Sequence, residues 1–291
     1  METVLAIDIG GTKLAAGLVD VNGTILVAQS VPTVAEVGPE RLFEALTGLV
    51  DGVRSAGGDP PLAGCGVGTG GPMTSGGAEV SPLNITAWRA FPLRSRLVAH
   101  TGLETVVDND AKALALAEGW LGAAIGARSY IAMVVSTGVG GGIVLDGELL
   151  GGNDGNAGHI GHVIVEPGGR PCACGGRGCL EAEASGTSIR AATGAPAMEA
   201  PPEVVERTGR LVGRAVASVA NLLDLRLACV AGSVALGFGA PFFDAAQAEL
   251  EAGARLDFSR GARIVPAGLG AEGPLIGAAA VAWRSLGHTL G

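Results

Sequence analysis

Residues Val4–Val19, VLAIDIGGTKLAAGLV, join two apolar runs through the turn Gly10-Gly11-Thr12-Lys13. Aliphatic and β-branched residues fit a pleated, half-buried surface, and glycines permit the reversal between strands. Asn22-Gly23 then separates this stretch from Thr24–Val27, and Asn-Gly between apolar runs is the strongest short hairpin signal. The opening therefore reads as a small antiparallel meander. The same device returns at Ile131–Val135, with the turn Ser136–Gly142, a strand at Ile143–Leu145 and a hairpin turn at Asp146-Gly147. Two copies of strand, glycine turn and strand predict an internal duplication, hence two lobes with a cleft between them.

The intervening chain follows an α/β pattern. Apolar spacing predicts helices over Glu40–Val53 and Glu203–Leu223. Asp108-Asn109-Asp110 reads as the cap of a helix over Ala111–Leu121, and Pro241–Ala252 and Pro274–Leu286 read as further helices, the last packing back on the first lobe. Strands are expected at Leu62–Gly68, Val106-Val107 and Leu227–Ala231, the last closing on Gly232-Ser233. The proline-bearing stretch 191–202 reads as a loop.

At 291 residues with 48% hydrophobic and 16% charged content, the chain has ample material for a packed core. A net charge of −9 argues against nucleic acid or an anionic membrane as a partner. No apolar run approaches membrane-spanning length, and the opening lacks the basic-then-apolar form of a signal peptide, so a cytoplasmic protein is expected. The 50 glycines show no collagen period and sit mostly at turns beside apolar runs.

Residues Gly158–Glu181, GHIGHVIVEPGGRPCACGGRGCLE, bring His162, Cys172, Cys174 and Cys179 close together in sequence. Three Cys and one His form a common closed set for structural zinc, and Gly175, Gly176 and Gly178 let the backbone fold back toward the metal. A disulfide, or a chance clustering, is the alternative. Clustered thiols without a secretory signal favour metal in a reducing compartment. Cys65 and Cys229 lie in apolar strands and read as inert core thiols.

Glycine turns leave backbone N–H groups open to phosphates. Asp8, at the end of the first strand, has the chemistry to hold a hydrated magnesium, and Thr12, Lys13 and Thr137 can donate to phosphate oxygens. Phosphoryl transfer to a hydroxyl also needs a group to accept its proton. Asp110 is the candidate: a carboxylate at a helix start stays ionised. An ordinary helix cap would look the same. Asp108 and Asn109 beside it favour the functional reading, Asn109 offering a donor and an acceptor to a sugar hydroxyl.

Together, AIDIGGTK, DNDAK, STGVGGG, GHIGH and CxCGxxGCxE resemble the ROK sugar kinases, which have the actin-like (ribonuclease H-like) fold. The resemblance implies a two-lobed α/β protein with duplicated mixed sheets and a zinc-binding loop. A small lobe would span 1–109, joined by the C-terminal helix 275–291, and a large lobe 110–274. It implies an ATP- and Mg2+-dependent sugar 6-kinase with structural Zn2+, a small-molecule sugar and nucleotide as partners, and a homodimer or higher oligomer. Asp110 matches the base for the sugar's 6-hydroxyl. Asn109, His159, His162 and Glu181 match sugar contacts, and the loop around Gly71 and Asn84 is read as part of the sugar site. Asp8, Gly10, Gly11, Thr12 and Lys13 match the first phosphate segment; Thr137, Gly138 and Gly140 match the second. Gly232 and Ser233 fall at the adenosine. Repressor members carry a winged helix-turn-helix ahead of the first glycine turn, and with Asp8 so early no such domain is expected here.

Two departures from the family pattern stand out. His159 replaces a Glu usual in its glucokinases, and the His-x-Gly-His form is similar to bacterial N-acetylmannosamine kinases. N-acetylmannosamine therefore leads, glucose or mannose is the alternative, and His159 bonding the same hydroxyls of glucose stays open. Lys112 stands where Asn is usual and is expected to face solvent. A sugar sensor without catalysis and a polyphosphate donor also stay open. His100 and His288 read as surface residues, and Trp88 as either a packing residue or a substrate contact.

Overall fold

The computed structural model describes residues 2–34 and 38–290, and the chain divides into two units. The first comprises Met1–Leu121, Gly151–Ala157 and Ala271–Gly291; the second comprises Gly122–Leu150 and Gly158–Gly270.

In the first unit, β1 (Thr3–Ile9), β2 (Lys13–Asp20) and β3 (Ile25–Pro32) form the expected meander, with β3 running past its expected end at Val27. After α1 (Pro39–Ala56), β4 (Cys65–Thr69) joins β1 in parallel. Then α2 (Leu93–Thr101) leads to β5 (Thr105–Asn109), parallel to β4, and α3 (Asp110–Leu121) follows directly. The sheet order is β3-β2-β1-β4-β5.

The second unit repeats this plan. β6 (Tyr130–Val135) pairs antiparallel with β7 (Val139–Leu145), which pairs with β8 (Glu148–Leu149). The short helices α4 (Leu180–Ala184) and α5 (Gly186–Thr193) precede α6 (Pro202–Leu223), and β9 (Leu227–Ala231) then joins β6 in parallel. After α7 (Ser233–Phe238) and α8 (Ala240–Gly253), β10 (Arg263–Pro266) completes the order β10-β9-β6-β7-β8. Read from its antiparallel edge, each sheet runs antiparallel, antiparallel, parallel, parallel, which is the duplication anticipated from the two glycine turns. Finally α9 (Gly273–Ser285) belongs to the first unit.

Burial explains the layering. Leu5, Ile7 and Ile9 of β1 pack with Leu42, Leu46, Val50 and Val53 of α1. The alternate residues Val4 and Ala6 pack with Leu275, Ala278, Ala279 and Trp283 of α9. Period-two alternation thus puts one helix on each face of the sheet. The Trp283 indole N–H donates to the Asp20 carbonyl at 3.1 Å, tying α9 to the end of β2. In the second unit α6 and α8 pack on each other, and Leu211, Val212 and Val216 of α6 share a core with Met133, Val135 and Val230.

Several expectations change. The division expected between residues 109 and 110 falls after Leu121, because α3 packs on α9 and so stays with the first unit. The second glycine turn is shorter than the sequence implied: β7 starts at Val139, and Gly140 lies inside it opposite Val134. The stretch read as a loop from residue 191 begins in α5. Trp88 is fully buried, its indole N–H donating to the Pro39 carbonyl at 3.2 Å, so it is a packing residue. Among the described residues no helix is long and apolar enough to cross a membrane.

Gly66 lets α9 lie against β4: a methyl group there would overlap the Ala278 carbonyl. Gly66→Ala is expected to cost about 1–3 kcal/mol through forced backbone displacement. The urea unfolding midpoint measures this, and an unchanged midpoint would show that α9 moves aside freely.

Candidate functional site

The first unit gathers its polar residues at the ends of its central strands. Register places Asp8, Gly68 and Asp108 side by side on β1, β4 and β5, with Ile9, Thr69 and Asn109 in the next row. Asp110 opens α3 immediately beyond. A Cβ built on Gly68 would lie 3.9 Å from Asp8 Oδ1 and 3.7 Å from the Asp110 Cα, so this glycine is the floor between the two acids. Burial first, and then the Asp110 carboxylate, push Asp8 up to about 7, with Lys13 pulling the other way. The Ala111 N–H at the helix start is shared by two acceptors, the side chains of Asn109 and Asp110, at 3.0 and 2.8 Å.

The first glycine turn is closed by the Gly10 N–H donating to the Lys13 carbonyl at 2.9 Å. Thr33 fastens it: its hydroxyl donates to the Gly10 carbonyl at 2.7 Å and its N–H to Thr12. Thr12 and Lys13 are exposed, as phosphate contacts require. Asn84 lies against Gly11, close enough that any side chain at position 11 would strike it. Leu83 donates to the Gly71 carbonyl at 3.2 Å, so the Gly71 loop and Asn84 are near neighbours. Lys112 departs from expectation. It is buried, and its Nζ lies 2.9 Å from both Asp108 Oδ1 and the Gly155 carbonyl.

In the second unit, His162, Cys172, Cys174 and Cys179 converge, their ligand atoms all within 4.8 Å of one another. Cys172 Sγ lies 3.6 Å from His162 Nδ1, and Cys174 Sγ lies 3.7 Å from Cys179 Sγ. Tetrahedral zinc bonds of about 2.3 Å to sulfur and 2.0–2.1 Å to nitrogen imply separations of about 3.6 Å and 3.8 Å for those pairs. The donor set therefore fits the ion. Taken as thiols, the cysteines are opposed. The Gly176 N–H, then Cys172 and Cys179, hold Cys174 below the usual thiol range. Burial, then the neighbouring thiols, push Cys179 up to about 12. A cation relieves that conflict by stabilising thiolates together. All five cysteines are free, which answers the disulfide alternative.

His159 precedes a single turn of 3-10 helix, Ile160–His162, and its ring stacks at 6.2 Å and 16° on that of His162. Gly161 lets this turn press on β7, since a side chain there would strike the Val139 carbonyl. Glu181 does more than its motif position indicated: its Oε2 accepts from the Val139 N–H at 2.9 Å, bracing the second glycine turn. Thr187 donates its hydroxyl to the Thr137 carbonyl at 2.9 Å. Ser233 Oγ meets Ser136 Oγ at 3.0 Å, so Gly232 and Ser233 do lie beside the turn of Thr137 and Gly138.

A family model described as the ROK family matches residues 4–285. An N-acetylmannosamine kinase from Escherichia fergusonii is 38% identical over 252 residues, which is 81% of this chain and 85% of that protein. The chain belongs to the ROK family. Its fold is similar to a ROK hexokinase from Thermus thermophilus, with TM-score 0.82 and 35% identity, covering 98% of this chain and 99% of that one. It is also similar to a ROK family glucokinase from Streptomyces griseus in complex with glucose and AMPPNP, with TM-score 0.83 and 30% identity, covering 95% and 98% of the two chains. This ROK protein is an enzyme, a transferase of the sugar-kinase class.

Sequence reading singled out Lys112 but not its burial, and it passed over Glu183 altogether. Lys112 had one signal, its i,i+4 spacing from Asp108. Glu183 had none, because its partners are remote in sequence. It is buried, accepts from the Arg170 N–H at 2.6 Å and pairs with Arg207 at 2.7 Å, holding the base of the cysteine loop. Burial alone would raise Glu183, but the Arg170 N–H and the two arginines outweigh it and hold the carboxyl below its usual range. Because the folded value is lowered, the stabilisation is present above the ordinary carboxyl range near 4.5 and is lost as pH falls below it. Glu183→Gln is expected to cost about 1–3 kcal/mol at pH 7 and less at pH 4. Melting curves at the two pH values test this; an equal loss at both would show that charge plays no part.

Proposed function

We propose that this protein is an ATP- and magnesium-dependent sugar 6-kinase whose preferred acceptor is N-acetylmannosamine. The observation that carries the substrate is His159, in the His-x-Gly-His turn held on β7, together with 38% identity to an N-acetylmannosamine kinase. Loss of the glucokinase carboxylate at this position, with an imidazole in its place, suits an N-acylated or axial substituent at C2. A second reading, glucose or mannose as acceptor, is supported by the likeness to the glucokinase and hexokinase structures.

Each step is assigned to a side chain. Asp110 accepts the proton of the 6-hydroxyl as its oxygen attacks the terminal phosphorus, which completes phosphoryl transfer with the nucleoside diphosphate leaving. Asn109, Gly71, Asn84, His159, His162 and Glu181 are assigned to the sugar. Gly10, Gly11, Thr12 and Lys13, with Thr137, Gly138 and Gly140, are assigned to the phosphates, and Gly232 and Ser233 to the adenosine. Asp8 would hold magnesium: burial and Asp110 disfavour its charged form, and a divalent cation restores it. Magnesium would neutralise phosphate charge when bound. His162, Cys172, Cys174 and Cys179 would hold zinc, which with four protein ligands shapes the loop and leaves no position for activating water.

A coupled assay with ATP-magnesium over N-acetylmannosamine, glucose, mannose, N-acetylglucosamine and fructose tests the reading. Highest kcat/KM on N-acetylmannosamine is expected, and preference for glucose would overturn the role given to His159. Turnover with polyphosphate alone would overturn ATP as the donor, and no turnover on any sugar would favour a sensor. Asp110→Asn is expected to lower kcat by about 10²–10⁴-fold with the fold intact; near wild-type turnover would remove Asp110 as the base. Cys172→Ser is expected to release zinc and lower the melting temperature, because a structural zinc site contributes on the order of 10 kcal/mol. Metal content by mass spectrometry and a melting curve decide that point.

A further inference from the structure

Lys112 is the third residue of α3, where the helix dipole disfavours a cation. It is also buried, with a side chain only 6% exposed, and burying an ammonium is costly unless it is fully paired. A surface lysine at this position would have been the less expensive arrangement. What the burial achieves is a set of connections within the first unit.

The Nζ pairs with Asp108 Oδ1, and that same oxygen accepts the Asn109 N–H at 2.8 Å. One carboxylate oxygen thus joins Lys112 to the junction of β5 and α3, where Asn109 and Asp110 stand. The Nζ also donates to the Gly155 carbonyl in the segment Gly151–Ala157, 43 residues along the chain. That segment has a second tie: Asn156 Nδ2 donates to the Met73 carbonyl at 3.3 Å, two residues beyond Gly71. Lys112 and Asn156 therefore fasten one irregular segment to the two places in this unit assigned to the sugar. The same segment runs in sequence directly into Gly158 and His159.

We propose that Lys112 is a positioning residue for the acceptor sugar: through Asp108 and Gly155 it fixes the β5–α3 junction and the 151–157 segment relative to each other. It touches neither sugar nor nucleotide. The inference rests on the sugar-kinase reading above.

The test compares wild type with Lys112→Met, Lys112→Arg, Asn156→Ala and the double variant Asp108→Asn with Lys112→Met. The sugar is the one that wild type turns over fastest. Lys112→Met is expected to raise the sugar KM by about tenfold or more, since small misplacements of a bound group are costly, while the KM for ATP stays within twofold. A residue that only stabilised the fold would not divide the two constants in this way. Lys112→Arg keeps the cation and is expected to recover part of the loss. The double variant, in which no carboxylate is left unpaired, is expected not to recover it, because the tie to Gly155 is still missing. Asn156→Ala, which loosens the segment without burying a charge, is expected to raise the same constant by a smaller factor, and it keeps the test alive if the lysine variants fail to fold. An unchanged sugar KM in Lys112→Met or in Asn156→Ala overturns the proposal. Full recovery in the double variant also overturns it, since the defect would then be only the unpaired Asp108. Wild-type protein that neither phosphorylates nor, by calorimetry, binds any sugar of the panel would sink the kinase reading and this inference together; wild-type turnover with unaltered variants would sink this inference alone.

Discussion

The register of β1 governs the first unit. This strand is hydrogen-bonded along both edges, antiparallel to β2 and parallel to β4, and covered by helices on both faces. A slip of one residue would exchange Leu5, Ile7 and Ile9 with Val4, Ala6 and Asp8. It would drive the Asp8 carboxylate into the aliphatic core against α1, where it would have no partner. The apolar alternation that secures the core therefore also aims the one acid of the strand. The second unit applies the same constraint to β6, between β7 and β9, and so fixes where its own glycine turn emerges.

What could be read from the sequence was what is local. Strand, glycine turn and strand occupy adjacent residues, and so do the cysteines of the loop, so spacing alone disclosed both. The helix α1 showed its apolar stripe plainly. By contrast α2 has little amphipathic pattern, with Leu93, Leu97 and Thr101 its only buried residues. The six-residue α7 lies directly after a glycine that reads as a turn. The burial of Lys112 and of Glu183 was illegible for a different reason. Asp108 is local to Lys112, but Gly155 is not, and neither are Arg170 and Arg207 to Glu183, so no single helical window shows that either side chain is buried.

The cysteine loop has two kinds of support. Its thiols and imidazole stand at the spacing of a tetrahedral site, which concerns the metal. Glu183 holds Arg170 at the base of the loop and Glu181 holds the second glycine turn, and these two carboxylates lie on the same short helix α4. The five residues of α4 thus couple the position of the cysteine hairpin to that of the turn read as a phosphate site. A helix of this length has little stability of its own. It is held by Leu180 and Ala184, which are fully buried in the core of this unit.

The placement of α9 has a consequence for how the chain is made. One face of the first sheet, including Val4, Ala6 and Val19, is covered by a helix encoded at residues 273–285. During synthesis the second unit can complete its core while that face is still bare. Strands β1 and β2 are therefore made well before their cover, and that apolar face stays open to water while more than two hundred further residues are translated. The second unit, made in between, has all of its own core residues before that cover exists.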